Sequence, residues 1–547
     1  MNFDPILPAP RVAAMKAAGH WRGRVLTEFL DAQLAERPDA VAVVDHNSMT
    51  GVRTVLTYRE LNCRVERIAL GLVELGIEMG DVVSYQLPNW WEFVALHLAC
   101  LRIGAVTNPL MPIFRQRELG FMLALAEAKL FVVPRLFRDF DYPAMAAELK
   151  GALPALDRVL VIGGSGEESF EARLLEPAHE RRHDAKAVFA ARTLAPDDVI
   201  QVLYTSGTTG EPKGVMHTSN TLFSNIVPYA KRLGLTDKDV VLMASPMAHQ
   251  TGFMYGLMMP IYLGAKMVLQ DIWQASRGAD IIAAERVTFT MASTPFLADM
   301  TETAASRPRD FASLRIFLAA GAPIPRVLVQ KATEALGANI ISGWGMTENG
   351  AVTTTKVGDA PDKTFGTDGC PLPGMEVRVV DATGHPVAVG IEGRLQARGC
   401  SNFVGYLKRP QLYGMDAEGW FETGDLARLD ADGYVRITGR AKDIIIRGGE
   451  NVPVVEVEQL IYRHPAVQEA AIVGMPDPRL GERGCAFIVL RPGQRLGFAE
   501  LIAFLESHKL ARNYLPERLE IVPEMPKTPS GKIQKFRLRE VARTFAS

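Results

Sequence analysis

Tyr204-Thr-Ser-Gly-Thr-Thr-Gly-Glu-Pro-Lys-Gly214 is the stretch on which the reading of this chain turns. An apolar run, Val199 to Leu203, leads into it with the character of a strand. From Thr205 to Gly210 every residue is small or hydroxylated. Gly207, Gly210 and Gly214 free the backbone to turn its N–H groups outward, where they can meet an anion. Thr205, Ser206, Thr208 and Thr209 add hydroxyl donors and Lys213 a positive charge, which suits the loop to a polyphosphate. It carries neither GxxxxGK[ST] nor GxGxxG, so it is not a Walker A or dinucleotide loop. An ordinary Gly/Thr/Ser turn would account for a shorter stretch, but not for this length with Pro-Lys-Gly embedded in it.

Composition bounds what surrounds the loop. The chain has 547 residues, 48% hydrophobic and 22% charged, as expected of a soluble globular protein with more than one core. A formal net charge of −2 points to neither nucleic acid nor an acidic membrane surface. Cys63, Cys100, Cys370, Cys400 and Cys485 are scattered, with no CxxC pair and no histidine at ligand spacing. They read as thiols in a reducing compartment rather than zinc ligands. Met1-Asn-Phe-Asp-Pro5 lacks the basic lead-in of a signal peptide. Thr251 to Leu269 is too interrupted by Gly252, Gly256, Pro260 and Gly264 to span a bilayer. A cytoplasmic location without membrane insertion is expected.

The first 200 residues alternate strand and helix patterns, which predicts parallel sheets with helices on their faces. Thr57-Tyr-Arg-Glu60 is a capping box opening a helix that stops near Gly76. Strands are expected at Val82–Tyr85, Leu130–Val133, Val240–Ala244, Val287–Ala292, Arg315–Ala319 and Ala338–Ser342. From about Gly366 to Arg436 short strands separated by Gly, Pro and Asp turns predict a small antiparallel unit, and the last hundred residues read as α+β. His249 follows one predicted strand at a strand-to-helix turn, where open α/β folds place ligands, although a lone histidine is more often structural.

These stretches resemble, in order, the motifs of the AMP-forming superfamily of acyl-CoA synthetases, luciferases and peptide-synthetase adenylation domains. The resemblance covers nearly the whole chain. It implies a large N-terminal domain, 1–441, of two doubly wound α/β subdomains plus a small β-barrel-like subdomain. A small mobile α+β domain, 442–547, follows. Thr205 to Gly210 and Lys213 correspond to the phosphate loop. Ala320-Gly-Ala-Pro-Ile-Pro325 resembles the segment that passes adenine, with Gly321, Ala322 and Pro323 in contact. Gly343-Trp-Gly-Met-Thr-Glu348 is the second signature: Trp344 and Gly345 face the base, Thr347 a phosphate, and Glu348 a Mg²⁺, the alternative for Glu348 being a helix cap. Trp420-Phe-Glu-Thr-Gly-Asp425 assigns Asp425 to the ribose hydroxyls, against its reading as a turn former. In Gly439-Arg-Ala-Lys442, Arg440 is a second ribose and phosphate contact and Lys442 the hinge, while Gly448-Gly449 lines the pantetheine tunnel. Pro526-Lys-Thr-Pro-Ser-Gly-Lys532 matches the catalytic-lysine motif, so Lys532, rather than Lys527 or Lys535, is the candidate.

The implied activity is an ATP-dependent, AMP-forming carboxylate–CoA ligation through an acyl-adenylate, with ATP, Mg²⁺ and coenzyme A as cofactors and substrates. His249 matches the acyl-pocket position of the family. Phe253, Met254, Met291, Gly321, Gly345 and Met346 are the expected pocket walls, with no polar group to hold a second polar end. Acetate-activating relatives carry tryptophan where this chain has Gly345, so a larger acid is expected. The overall likeness is to cyclohexanecarboxylate–CoA ligases and short- and medium-chain fatty acyl-CoA synthetases, with an aryl acid or a carrier protein loaded in trans as alternatives. A luciferase-like oxygenase would share every motif. A non-enzymatic scaffold would be expected to have lost Lys532 or Glu348. Expected partners are the acid, ATP and CoA; a lysine acetyltransferase and deacetylase acting on Lys532, and a homodimer, are further candidates.

Overall fold

The structure is a computed structural model that describes residues 3–205, 211–321, 324–447, 450–528 and 531–545. Its largest sheet runs, edge to edge, Cys370–Pro371, Gly350–Thr354, Asn339–Met346, Ile316–Ala319, Phe289–Ala292, Val240–Met243, Lys266–Gln270, Val41–His46 and Arg53–Thr57. The six strands from Asn339–Met346 to Val41–His46 are mutually parallel, and antiparallel strands close both edges. A second sheet of six strands joins Lys213–Thr218, Val199–Thr205, Val106–Pro109, Val82–Tyr85, Leu130–Pro134 and Arg158–Ile162. Only its Lys213–Thr218 edge is antiparallel. Strands buried on both faces read as continuous apolar runs, which is why their positions could be predicted so closely.

The Thr57 capping box forms as expected: Thr57 Oγ1 accepts from the Glu60 N–H, and Glu60 reaches back to the Thr57 N–H, opening the helix Tyr58–Glu74. Trp90 and Trp91 start the helix Trp91–Arg102 and are buried in one core with Phe93, Tyr85 and Leu96. The small subdomain is an open four-stranded meander, Met375–Val380, Gly393–Gly399, Phe421–Leu429 and Val435–Arg440, rather than a closed barrel. A single helical turn, Ala441–Asp443, leads from it into a five-stranded sheet that has hydrophobic clusters of its own, around Ile472 and Phe487.

Two carboxyl groups at the entry of the Trp91–Arg102 helix are buried without a full set of partners. Asp45 Oδ2 accepts the Trp91 N–H at 3.2 Å, while Asp45 Oδ1 and Glu92 Oε2 have no hydrogen-bond partner among the described residues. Burial pushes Asp45 up to about 7, and burial together with the Asp45 charge pushes Glu92 up to about 8. A carboxyl with a raised folded-state pKa takes up its proton more readily folded than unfolded. The pair's contribution to stability is therefore full below pH 4 and is lost as pH rises through 7 to 8. Asp45→Asn should flatten the decline of Tm between pH 5 and 8; an unchanged slope would remove this pair as its cause.

Candidate active site

Four turns at the carboxyl ends of the parallel strands of the large sheet converge on one cleft, the usual ligand position in open α/β folds. Val240–Met243 leads to His249, Phe289–Ala292 to Ser293, Ile316–Ala319 to Gly321, and Asn339–Met346 to Thr347 and Glu348. The strand predicted at Ala338–Ser342 runs on through the second signature to Met346, so Thr347-Glu348-Asn349 is a hairpin turn and Glu348 caps no helix. Gly350 closes that turn at φ +66°, where a side chain would be strained.

The turn is held from three directions by residues that the sequence gave no reason to select. His217 Nε2 bonds the Thr347 carbonyl at 2.8 Å, and burial holds this imidazole down to about 4, so it is neutral. Asn225 Nδ2 donates to the carbonyls of Asn349 and Ala351, and Ser401 Oγ donates to that of Asn349 at 2.7 Å. Tyr406 O–H donates to Glu348 Oε1 at 2.8 Å. Glu348 is buried, which raises its pKa, an effect opposed by the Tyr406 hydrogen bond and by the charges of Lys213 and Arg440. No other side chain among the described residues donates to its carboxylate, a group of the kind that can hold a hard cation, which takes few protein oxygens in such sites.

Asp425 is the second node. Its Oδ2 accepts the Trp344 indole N–H at 2.9 Å, and its Oδ1 accepts Arg440 Nε at 2.8 Å. Trp344, expected only as a face for the base, thus also fixes Asp425. Thr205 and Lys213 stand opposite each other where the antiparallel strands Val199–Thr205 and Lys213–Thr218 part. Ser206, Gly207, Thr208, Thr209 and Gly210, with Ala322, Pro323, Gly448 and Gly449, lie outside the described residues.

Lys532 comes into the cleft from the C-terminal sheet's side. Gly531, at φ +83°, packs so closely on Ser293 that an added Cβ would lie 2.8 Å from Ser293 Oγ. Burial and the Arg440 charge lower the Lys532 pKa to about 8, against the pull of Asp425 and Asp443. His249 also feels it: burial, then the Lys532 charge, lowers this imidazole to about 4. His249 itself caps the turn after its strand, accepting the Thr251 N–H at Nδ1. Lys527 pairs with Glu469 and Lys535 with Glu458, each at 2.7 Å, whereas Lys532 makes no ion pair among the described residues. Lys442 lies in the connecting turn with its pKa lowered by burial and Arg440, and Asp443 beside it pairs with Arg539 at 2.6 Å. Arg491 and Glu302, at 2.5 Å, form a further bridge between the two parts.

The acyl-pocket expectations need correction. Phe253 is fully buried with its ring edge-on to His97 at 4.7 Å, and Met254 is equally buried. Both belong to the core and face no space that water could enter. Met291 receives the Tyr229 hydroxyl at Sδ. Gly345 is glycine for a reason unrelated to the acid: an added Cβ would lie 1.9 Å from the Gly350 carbonyl oxygen across the hairpin. Met346 is half-buried against the cluster of Phe403 and Tyr406, and Gly321 is exposed, with nothing within 4 Å of an added Cβ.

A family model described as AMP-binding enzyme matches residues 30–407, and one for the AMP-binding enzyme C-terminal domain matches 456–532. The chain belongs to the AMP-binding enzyme family. Family members activate acids by forming AMP, and this one is an acid–thiol ligase of that class. It is 36% identical to a medium-chain fatty-acid–CoA ligase of Escherichia coli (strain K12) over 97% of this chain and 92% of that one. It is also 36% identical to a salicylyl-CoA synthase / salicylate adenylyltransferase of a Streptomyces species, over 99% and 98% of the two chains. Among solved structures, an anthranilate CoA ligase in complex with anthranoyl-AMP matches with a TM-score of 0.86 at 27% identity, covering 96% of this chain and 98% of that one. The two-part α/β architecture is that of these enzymes. No helix among the described residues is long and apolar enough to cross a membrane.

Proposed function

We propose that this AMP-binding enzyme ligates a compact apolar carboxylic acid to coenzyme A in two steps, adenylation and then thioester formation. The observation that carries the reading is Lys532, which follows a glycine packed on Ser293, has no ion-pair partner among the described residues, and lies within reach of the charges of Arg440 and Asp425. In adenylation a carboxylate attacks the α-phosphorus of ATP, two anions are brought together, and pyrophosphate leaves. A mobile point charge between carboxylate and α-phosphate lowers that barrier. Asp425 accepts from the ribose hydroxyls, Arg440 holds Asp425, and Thr347 with Lys213 meets the phosphates. Glu348 would hold a Mg²⁺, which when bound neutralises phosphate charge. Coenzyme A then needs the ground that Lys532 occupies, so the domains 1–441 and 442–547 pivot at Lys442. Acetylating Lys532 would remove the charge and stop the first step.

For the acid, the support is the half-buried apolar side chain of Met346 beside the second signature, together with the 36% likeness to a medium-chain fatty-acid–CoA ligase. A cyclohexanecarboxylate-like or linear acid of roughly six to ten carbons fits such walls. A second reading, an aryl acid, is favoured by the 36% likeness to the salicylyl-CoA synthase. AMP release with MgATP and CoA is the test, across cyclohexanecarboxylate, hexanoate, octanoate, benzoate, salicylate and acetate. We expect kcat/KM for the six- to eight-carbon apolar acids at least about tenfold above acetate and salicylate, ~1.4 kcal/mol of discrimination. Salicylate in the lead would establish the aryl reading, and no AMP with any acid would overturn the ligase itself.

A further inference from the structure

Tyr406 sits where two parts of the site, distant in sequence, meet. Its hydroxyl donates to Glu348 Oε1 at 2.8 Å, and Lys213 Nζ stands 5.0 Å from the centre of its ring. The backbone on either side is tied to both. The Phe403 N–H donates to the Glu348 carbonyl at 2.7 Å, and the Leu407 N–H to the Gly214 carbonyl at 2.8 Å. Met216, on the strand behind the phosphate loop, bonds Gly405 and Val404 at 3.0 Å each. Phe403 packs against the Tyr406 ring at 4.7 Å, and Tyr406 is buried.

We propose that Tyr406 is a positioning residue for the phosphate end of the nucleotide, orienting the Glu348 carboxylate through its hydroxyl and the Lys213 ammonium through its ring face. The inference rests on the reading of Glu348 as the metal carboxylate and Lys213 as a phosphate cation. A carboxylate that must receive a hard cation gains from a neutral donor on one oxygen. The donor fixes the torsion of the group without cancelling its charge, as a lysine or arginine there would. The ring meets a different need. Among the described residues Lys213 has no carboxylate within ion-pairing distance, so its ammonium is free for a phosphate, and the negative face of the ring holds it near the loop. One side chain thereby sets the spacing between the two charges that flank the phosphates.

The test is equilibrium binding of α,β-methylene-ATP by calorimetry, with Mn²⁺ or with EDTA, on the full chain and variants of matched thermal stability. Bound Mn²⁺ is counted separately by electron paramagnetic resonance. Tyr406→Phe keeps the ring and loses the hydroxyl; it should weaken Mn²⁺-nucleotide binding by about tenfold and leave metal-free binding unchanged. Tyr406→Leu should weaken both. On a Glu348→Gln background, Tyr406→Phe should add nothing. Wild-type Mn²⁺-nucleotide affinity in Tyr406→Phe, alongside a weakened Glu348→Gln, would overturn the inference while sparing the metal reading. A full Tyr406→Phe effect on the Glu348→Gln background would overturn it too. Wild-type affinity in Glu348→Gln would overturn the metal reading, and the inference with it.

Discussion

Lys532→Ala should lower acyl-adenylate formation by at least about a hundredfold while leaving CoA transfer from supplied acyl-adenylate within about threefold of wild type. The flanking lysines argue for so lopsided a result. Lys527 and Lys535 are held by Glu469 and Glu458 within the C-terminal part, and neither can move to substitute. Lys532 has no such partner among the described residues, and on the proposed reading its charge serves only the step in which two anions meet. Pyrophosphate–ATP exchange and single-turnover transfer from synthetic adenylate read the two steps separately, and equal losses in both would refute the division. The same ammonium predicts a pH limb. Its pKa is lowered to about 8, so the charge is present below pH 8 and lost above it. The kcat/KM for adenylation should fall between pH 8 and 9, and transfer from supplied adenylate should lack that limb.

Asp425→Asn should be nearly as damaging as Asp425→Ala, raising KM for ATP by roughly 30- to 100-fold, about 2–3 kcal/mol. In most carboxylate sites the amide is the gentler change. Here Oδ2 accepts from Trp344 and Oδ1 from Arg440, so whichever way the amide is turned its NH₂ faces another N–H donor. The partly exposed Arg440 can relax into water, which tempers the loss; the indole N–H of Trp344 is buried and cannot. Trp344→Phe removes one donor and should cost less than either. Initial rates over an ATP range decide the matter, and an Asp425→Asn enzyme with wild-type KM would show that the carboxylate is not needed for the nucleotide.

What could be read from sequence follows from how locally each feature is encoded. The Val82–Tyr85 strand and the Thr57 capping box are written within a few consecutive residues, and they formed where expected. Lys532, Asp425 and Glu348 could be singled out as candidates because each sits in a short motif resembling the family's. Tyr406 and His217 were not. Their roles arise from contacts with Glu348 and Thr347, 58 and 130 residues away, and a tyrosine or histidine in an apolar run carries no local sign of such a partner. Phe253 misled for the opposite reason. Its place next to a motif suggested a pocket, but the chain from Phe253 to Met258 winds as a wide helical turn that points it at His97. Gly345 misled because a missing side chain can make room for a ligand or for another stretch of backbone, and the sequence does not say which.

That close approach of Gly345 to Gly350 bears on how new acid preferences could arise in this scaffold. With a carbonyl oxygen where its Cβ would go, position 345 can change in this chain only together with the hairpin that carries Glu348, and a tryptophan such as acetate-activating relatives carry would have to shift that hairpin. Descendants of this enzyme, natural or selected from a library, would retune more readily from Gly321, which has open space beside it and lies off the strand that serves the nucleotide.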